Sequence, residues 1–352
     1  MRPPLPREDL DLMLSLTAEF WSRFRGTRLF VTGGTGFIGG WLLETILRAN
    51  QVLGAGIEVI ALTRNPERAA ARSPHLFGAG TIKLLAGDVT EFEMDLGDID
   101  LCVHAAADAA DSAGAADELG VFDVAVNGTR RLLDCAAARG ASRVLLVSSG
   151  AVYGDQPAAL TGIPEEFTGA PGTLQANTAY AHGKRIAEWL GCALARRSNV
   201  SVTIARIFAL VGPNLPLDGP FAAGNFIRDA IGGRTIDIRG DGRPIRSYLY
   251  AADACVWLLH ILMSGRSQQA YNVGSEQALS IAELAQCVVR ANGMDLPIKV
   301  REVPDSGVPA PRYVPATAKA RGELGLAEYT SLDAALVKTI KWHRAAASHE
   351  KV

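Results

Sequence analysis

The sequence has no apolar run long enough to cross a bilayer. The longest, Ala254 to Met263, contains His260 and falls far short of the roughly 18 residues that a spanning helix needs. It has no cysteine framework either. Cys102, Cys135, Cys192, Cys255 and Cys287 are scattered, odd in number and without C-x-x-C or paired Cys/His spacing. That pattern argues against disulfides and a structural metal, and for thiols that pack as small hydrophobes. There is no excess of one charge: 35 Lys+Arg against 37 Asp+Glu leave a net charge of −2. No global field therefore draws the chain to nucleic acid or an anionic membrane. The first residues do not read as a secretion signal, because Glu8, Asp9 and Asp11 interrupt them before an apolar core can form. No repeat and no low-complexity tract is visible. The expectation is a cytoplasmic protein that binds neither nucleic acid nor membrane and holds no metal.

What is present has the composition of a folded chain: 48% of residues are hydrophobic and 20% charged. At a prior of ~150 residues per domain, 352 residues make two domains, or one large α/β unit with an appendage. From Arg28 onward, short β-branched runs alternate with amphipathic stretches. Strands are expected over 28–32, 57–63, 81–87, 100–105, 143–149 and 200–208, and helices over 37–48, 117–139 and 177–197. The strands are continuously apolar, as strands buried on both faces are. Strand–helix repetition of this kind predicts an α/β fold of the Rossmann type, with a doubly wound parallel sheet. We divide the chain into a helical extension (1–27), a dinucleotide-binding domain (28–210) and a smaller, mixed substrate-binding region (211–352). In the last region glycine and proline become denser and elements shorter, and some of these elements are expected to return to the main sheet.

Directly after the first strand comes T-G-G-T-G-F-I-G, residues 32–39. Gly33 permits a tight turn, Gly36 lets a pyrophosphate approach the backbone, and Gly39 lets the helix pack on the sheet. The anion then rests on the helix N-terminus. The second strand ends in Thr63-Arg64-Asn65, with Arg68 one helical turn on. No carboxylate stands there to hold a ribose 2′-hydroxyl, whereas an arginine suits a 2′-phosphate. This favours NADP(H), with NAD(H) as the alternative if Arg64 is only a solvated surface residue. Asp88, in A-G-D-V-T, is placed to reach the adenine, and Ala105, Ala106 and Ala107 leave room for the dinucleotide. His104 reads as a packed histidine.

Tyr180 and Lys184, in Y-A-H-G-K, share one helical face. A nearby ammonium lowers a phenol's pKa and fits it for proton exchange with a sugar hydroxyl during hydride transfer. Ser149, in S-S-G-A-V-Y-G (148–154) at the end of the fifth strand, can hydrogen-bond the reacting oxygen.

These three motifs resemble those of the extended short-chain dehydrogenase/reductases, the NAD(P)-dependent nucleotide-sugar epimerase/dehydratase family. The resemblance continues through Asn127-Gly128-Thr129, G-D-G-R-P-I-R-S-Y-L-Y-A-A-D (240–253), Tyr271-Asn272-Val273-Gly274 and A-K-A-R-G-E-L-G (318–325). It implies catalytic roles for Ser149, Tyr180 and Lys184. It implies cofactor contacts from Gly33, Thr35, Gly36, Phe37, Ile38, Arg64, Asp88, Val89, Ala105, Ala106, Ala107, Asn127, Tyr180 and Lys184. It places Ser149, Asn225 and Arg246 on a nucleoside-diphosphate sugar, the last two at its diphosphate. For Arg246, a structural pair with Asp253 is the competing reading. The family also implies a homodimer formed through the two long helices.

Three departures from the family pattern narrow the chemistry. Where 4,6-dehydratases carry an Asp-Glu pair, this chain has Gly150 and Ala151, which disfavours dehydration. Decarboxylases usually carry a glutamate at the position of Ala151. Phe208-Ala209 stands where the family has Phe-Asn. Hydride transfer at a sugar carbon, expected at C4, survives these exclusions. A 4-ketoreductase is slightly favoured and a 4-epimerase with a retained cofactor is the alternative. A non-catalytic dinucleotide sensor on the same fold is the reading from another class.

Overall fold

The computed structural model describes residues 1–78, 80–107, 117–303, 307 and 309–349. Six strands alternate with helices in the first two-thirds of the chain: β1 (Arg28–Thr32), β2 (Glu58–Thr63), β3 (Ile82–Ala86), β4 (Leu101–His104), β5 (Arg143–Ser149) and β6 (Ser201–Ile207). In front of them lie α1 (Arg7–Leu16) and α2 (Trp21–Phe24). Between them run α3 (Phe37–Leu53), α4 (Pro66–Arg72), α5 (Pro74–Phe77), α6 (Glu118–Ala138) and α7 (Ala179–Arg197). Each expected element is present, with ends moved by a residue or two, as frayed termini allow. The exception is α3, which runs on to Leu53 and stops where Gly54 takes φ +57°. Glycine adopts that left-handed conformation without steric cost.

All pairings in the main sheet are parallel, in the order β3-β2-β1-β4-β5-β6, followed by a later strand, Ala270–Val273. Alternate residues of each strand feed two cores. Phe30, Cys102, Val144 and Val202 face one side, with Leu132 and Leu133 of α6. Leu29, Val31, Val103, Leu145 and Val147 face the other, with Trp41, Leu43 and the later helix Ala251–Ser264. Burial on both faces is why these strands lack polar alternation. The chain winds outward from β1 to β3, then returns to place β4 on the other side of β1. The crevice at the strand ends between β1 and β4 is thus the topological switch point, where ligands bind in such sheets.

The rest of the chain is a set of short elements. Its helices begin with α8 (Ala222–Ile231) and the helix just named, α9 (Ala251–Ser264). Short strands pair locally: Leu210–Val211 with Leu249–Tyr250, Ile236–Ile238 with Ile298–Val300, and Ile245–Arg246 between Leu279–Ser280 and Arg312–Tyr313. The last of these pairs Arg246 with Tyr313 in register. Two further helices of note are α10 (Ile281–Asn292) and the C-terminal helix Leu332–His349.

Residues 1–27 pack rather than project. Arg2 pairs with the buried Glu44 of α3, and Asp9 accepts the Tyr250 hydroxyl at 2.6 Å while pairing with Lys338. The Trp342 indole donates to the Pro4 carbonyl at 2.9 Å. The extension therefore ties α3 and α9 to the C-terminal helix. All five cysteines are free, and no group of three metal-ligating side chains occurs among the described residues. No described helix is long and apolar enough to cross a membrane.

Candidate active site

The glycine-rich turn is shaped by close approach. Gly33 has φ +72°, and a Cβ there would lie 2.4 Å from the Ala105 carbonyl carbon at the end of β4. A Cβ on Gly39 would lie 2.2 Å from the Gly33 oxygen. Gly36, at the N-cap of α3, would place its Cβ 3.2 Å from that same oxygen. Only glycine lets the turn, β4 and α3 come this close. The result is a cleft of about 520 Å³ lined by Gly33, Thr35, Gly36, Arg64, Asp88, Val89 and Ala105 to Ala107, with Arg68 and Arg72. This volume is that of a small-molecule site. Its floor is the N-terminus of α3, whose unpaired amides and dipole favour an anion. The cradle therefore fits a dinucleotide pyrophosphate. Phe37 and Ile38 begin the helix, half-buried behind the turn. A second cleft of about 520 Å³, beside Trp189, Arg196 and Arg206, contains none of the expected catalytic, cofactor or substrate residues.

Asp88 accepts both the Thr90 hydroxyl (2.6 Å) and the Thr90 amide (2.9 Å). Burial alone would raise its pKa. These bonds and the charge of Arg64 outweigh burial and hold the carboxyl below its ordinary value. Asn127 is placed differently from the expectation. It is exposed on α6, bonded to Asp123 at 3.2 Å, and does not line the cleft. The neighbouring residues explain this. Gly128 lies against Val89, and Thr129 turns inward to His104, so the position before them is rotated about 100° outward.

His104 is fully buried between two hydroxyls, with Nδ1 2.7 Å from Thr32 Oγ1 and Nε2 2.9 Å from Thr129 Oγ1. Burial, reinforced by the Lys184 charge, pulls its pKa down to about 3. It is a neutral pin between β1, β4 and α6, as its reading as a packed histidine implies.

The chemistry-bearing residues meet at the ends of β5 and the start of α7. Ser149 ends β5 and accepts the Ala151 amide at 3.1 Å. The Tyr180 phenol hydrogen-bonds with Ser149. Burial raises the Tyr180 pKa, and that bond partly offsets the rise. The Lys184 ammonium lies 5.8 Å from the centre of the Tyr180 ring and donates to the Val147 carbonyl at 2.8 Å. Burial pulls the Lys184 pKa down to about 8, against an opposing pull from Glu188. Glu188 is itself held by Ser148 at 2.5 Å and by Arg206 at 2.7 Å. A buried polar layer thus supports the β5–α7 junction from behind. Ser149, Tyr180 and Lys184 form one cluster, and Gly150 and Ala151 add no ionisable group beside it.

Arg246 is not paired with Asp253. Asp253 is occupied by the amides of Tyr329 and Thr330, each at 2.8 Å, and by the Thr330 hydroxyl at 3.0 Å. Arg246 instead lies over the Tyr313 ring, 5.8 Å from its centre. Tyr313 also reaches Ser149, so it brings Arg246 to the catalytic cluster. Asn225 lines a separate cleft of about 220 Å³ with Phe226, Arg228, Asp229, Asp237 and Arg239. Sequence reasoning missed Tyr313. It sits in a proline-flanked segment without periodicity, and only the short parallel strand beside Ile245–Arg246 carries it inward.

Residues 29–274 match the model of the NAD dependent epimerase/dehydratase family. The chain belongs to that family. It is an enzyme of the extended short-chain dehydrogenase/reductase type, as its motifs imply. UDP-glucuronic acid decarboxylase 3 of Arabidopsis thaliana is 30% identical over 85% of this chain and 83% of its own length. The dTDP-glucose 4,6-dehydratase of Streptomyces niveus is 26% identical over 90% of this chain and 93% of its own. Among solved structures, the dTDP-glucose 4,6-dehydratase of Streptomyces venezuelae with NAD bound superposes with a TM-score of 0.76 at 27% identity. It covers 92% of this chain and 98% of its own.

Proposed function

We propose that this epimerase/dehydratase-family enzyme transfers hydride at C4 of a nucleoside-diphosphate sugar, acting as an NADP(H)-dependent 4-ketoreductase. The observation that carries this is the composition of the cluster. It has one proton-active phenol, Tyr180, with Ser149 and Lys184, and glycine and alanine at the two positions that follow Ser149. Eliminating water from a sugar needs an acid and a base at adjacent carbons. The residues here serve one oxygen on one carbon.

The turn at Gly33 to Gly36 would hold a reduced nicotinamide dinucleotide, which would supply the hydride to C4. The chain's own residues then answer the charge that hydride arrival builds on the ketone oxygen. Ser149 donates a hydrogen bond to that oxygen, and Tyr180 passes it the phenolic proton. The alcohol is then complete, and the Lys184 ammonium stabilises the phenolate left behind. Burial keeps the Tyr180 phenol protonated near neutral pH, which suits an acid waiting for a ketone. Arg64 and Arg68 line the cleft at the end of β2, where a 2′-phosphate would lie. A nucleoside-diphosphate sugar as substrate is supported by the names of the relatives, and Arg246 beside the cluster suits its diphosphate. A homodimer through α6 and α7, a cytoplasmic location and the division into binding domains belong to the same proposal.

The second reading is a 4-epimerase that retains NAD, favoured by the NAD held by the Streptomyces venezuelae relative. Mass analysis of the dinucleotide released from purified, denatured protein separates the two. Empty sites that fill preferentially with NADPH support the reductase. NAD retained at one per chain supports the epimerase and makes Arg64 a bystander.

A further inference from the structure

Gly150 has no backbone reason to be glycine, since it is absent from the positive-φ positions. Its reason is space. A Cβ at 150 would lie 2.6 Å from the Tyr313 hydroxyl and 2.6 Å from Phe208 Cζ. The missing side chain is what admits Tyr313 to the cluster. The Tyr313 ring is fixed there by Phe208, with ring centres 4.5 Å apart, and by the Arg246 guanidinium above it. Its hydroxyl ends beside Gly150, the residue that follows Ser149, within reach of the serine side chain.

We propose that Tyr313 is a positioning residue for the hydride-transfer site, its hydroxyl filling the place of a side chain at 150 and aiming the hydroxyl of Ser149. A serine hydroxyl has one proton and two lone pairs. The Ala151 amide takes one lone pair. A hydrogen bond donated by Tyr313 takes the other. The single Ser149 proton is then directed to Tyr180 or to the sugar oxygen, the two places where negative charge develops. The chain Tyr313→Ser149→Tyr180 points one way, and each bond polarises the next. The other groups that face it are Lys184 from α7, Arg246 above the Tyr313 ring, and the neutral Tyr153 behind. This role rests on the proposed function.

Tyr313→Phe keeps the ring, the Phe208 stack and the Arg246 contact, and removes only the hydroxyl. It is expected to lower kcat about tenfold, the scale of one lost hydrogen bond, with KM and dinucleotide affinity within about twofold. The alkaline limb of the rate profile, set by loss of the Tyr180 proton, moves to higher pH, because the phenolate loses support. Because Tyr313 acts through Ser149, Tyr313→Phe added to Ser149→Ala costs nothing further. Unchanged kcat in Tyr313→Phe, or full additivity with Ser149→Ala, overturns the proposal. If the wild type transfers hydride to no nucleotide sugar, the proposed function fails separately. Ultraviolet difference titration of the NADP-loaded protein then still decides the role of Tyr313. The phenol step missing in Tyr180→Phe must titrate higher in Tyr313→Phe than in the wild type, and an unshifted step contradicts the assignment.

Discussion

The Lys184 ammonium donates to the Val147 carbonyl at 2.8 Å, so the lysine of the catalytic helix is anchored on the strand that ends in Ser149. The anchor holds α7 against β5 and sets the height of Tyr180 above the sheet. It also buries a charge, which costs stability.

That cost gives a pH dependence with a definite sign. The Lys184 pKa falls from 10.5 to about 8 on folding. Between those values the unfolded chain holds a proton that the folded chain has released, so this group's contribution to stability rises with pH. Below pH 8 both states are protonated and the folded state carries the full penalty. Lys184→Met is expected to lose at least about a hundredfold in turnover. Its Tm relative to wild type is most favourable below pH 8 and declines towards pH 10. Thermal melts across that range check it, and a constant difference contradicts it.

His104 makes the opposite end of the pH range informative. Its pKa is about 3 in the fold against 6.5 unfolded, and that of the buried His343 is about 4. Below pH 6.5 the unfolded chain binds protons that these imidazoles refuse, so stability is lost as pH falls. A histidine that stays neutral to pH 5 accounts for about 2 kcal/mol between pH 7 and 5. His104→Gln is expected to lower stability at pH 7 and to flatten that acid slope in urea unfolding measured at each pH. An unchanged slope contradicts a buried neutral imidazole.

Arg64 and Arg68 line the cleft at the end of β2. If they meet a 2′-phosphate, removing both costs charge-assisted hydrogen bonds, each on the scale of about 1.5–3 kcal/mol. The double alanine variant is expected to bind NADPH at least about tenfold more weakly, with NADH unchanged within about twofold. Titration of both dinucleotides by fluorescence tests this. Equal weakening would show that the arginines support the cleft without selecting a cofactor.

Gly33 combines φ +72° with a Cβ position 2.4 Å from the Ala105 carbonyl carbon. Gly33→Ala is expected to lose dinucleotide binding and to be destabilised by about 1–3 kcal/mol from the backbone conformation alone, with the clash added. Calorimetry and dinucleotide titration check both, and retained affinity contradicts the role given to this turn.

The parts of the site that were legible in the sequence are contiguous ones. Gly33 to Gly39 act as one turn, and Tyr180 and Lys184 are one helical step apart, so spacing alone places them. Parallel strands buried on both faces declared the sheet through their unbroken apolar runs. What was not legible depends on distant segments meeting. Arg246 and Tyr313 come together through two-residue strands 67 positions apart, and nothing in either segment marks the pairing. Asp253 looked like a partner for Arg246 because it is a carboxylate seven residues on in the same motif, but the backbone amides of Tyr329 and Thr330 take it. Asn127 was read from a motif without its helical phase, which the packing of Gly128 on Val89 decides.

The central claim is that Tyr180 gives a proton to a sugar oxygen while hydride arrives from a bound dinucleotide. Incubation with NADPH deuterated at the transferable position and a nucleoside-diphosphate 4-keto sugar, followed by mass and NMR analysis of the sugar, tests it most directly. The account predicts one deuterium at C4 in the product, and a rate about 10² to 10⁴ lower in Tyr180→Phe with dinucleotide binding unchanged. A product that has lost water or carbon dioxide, or deuterium that never reaches C4, would contradict it.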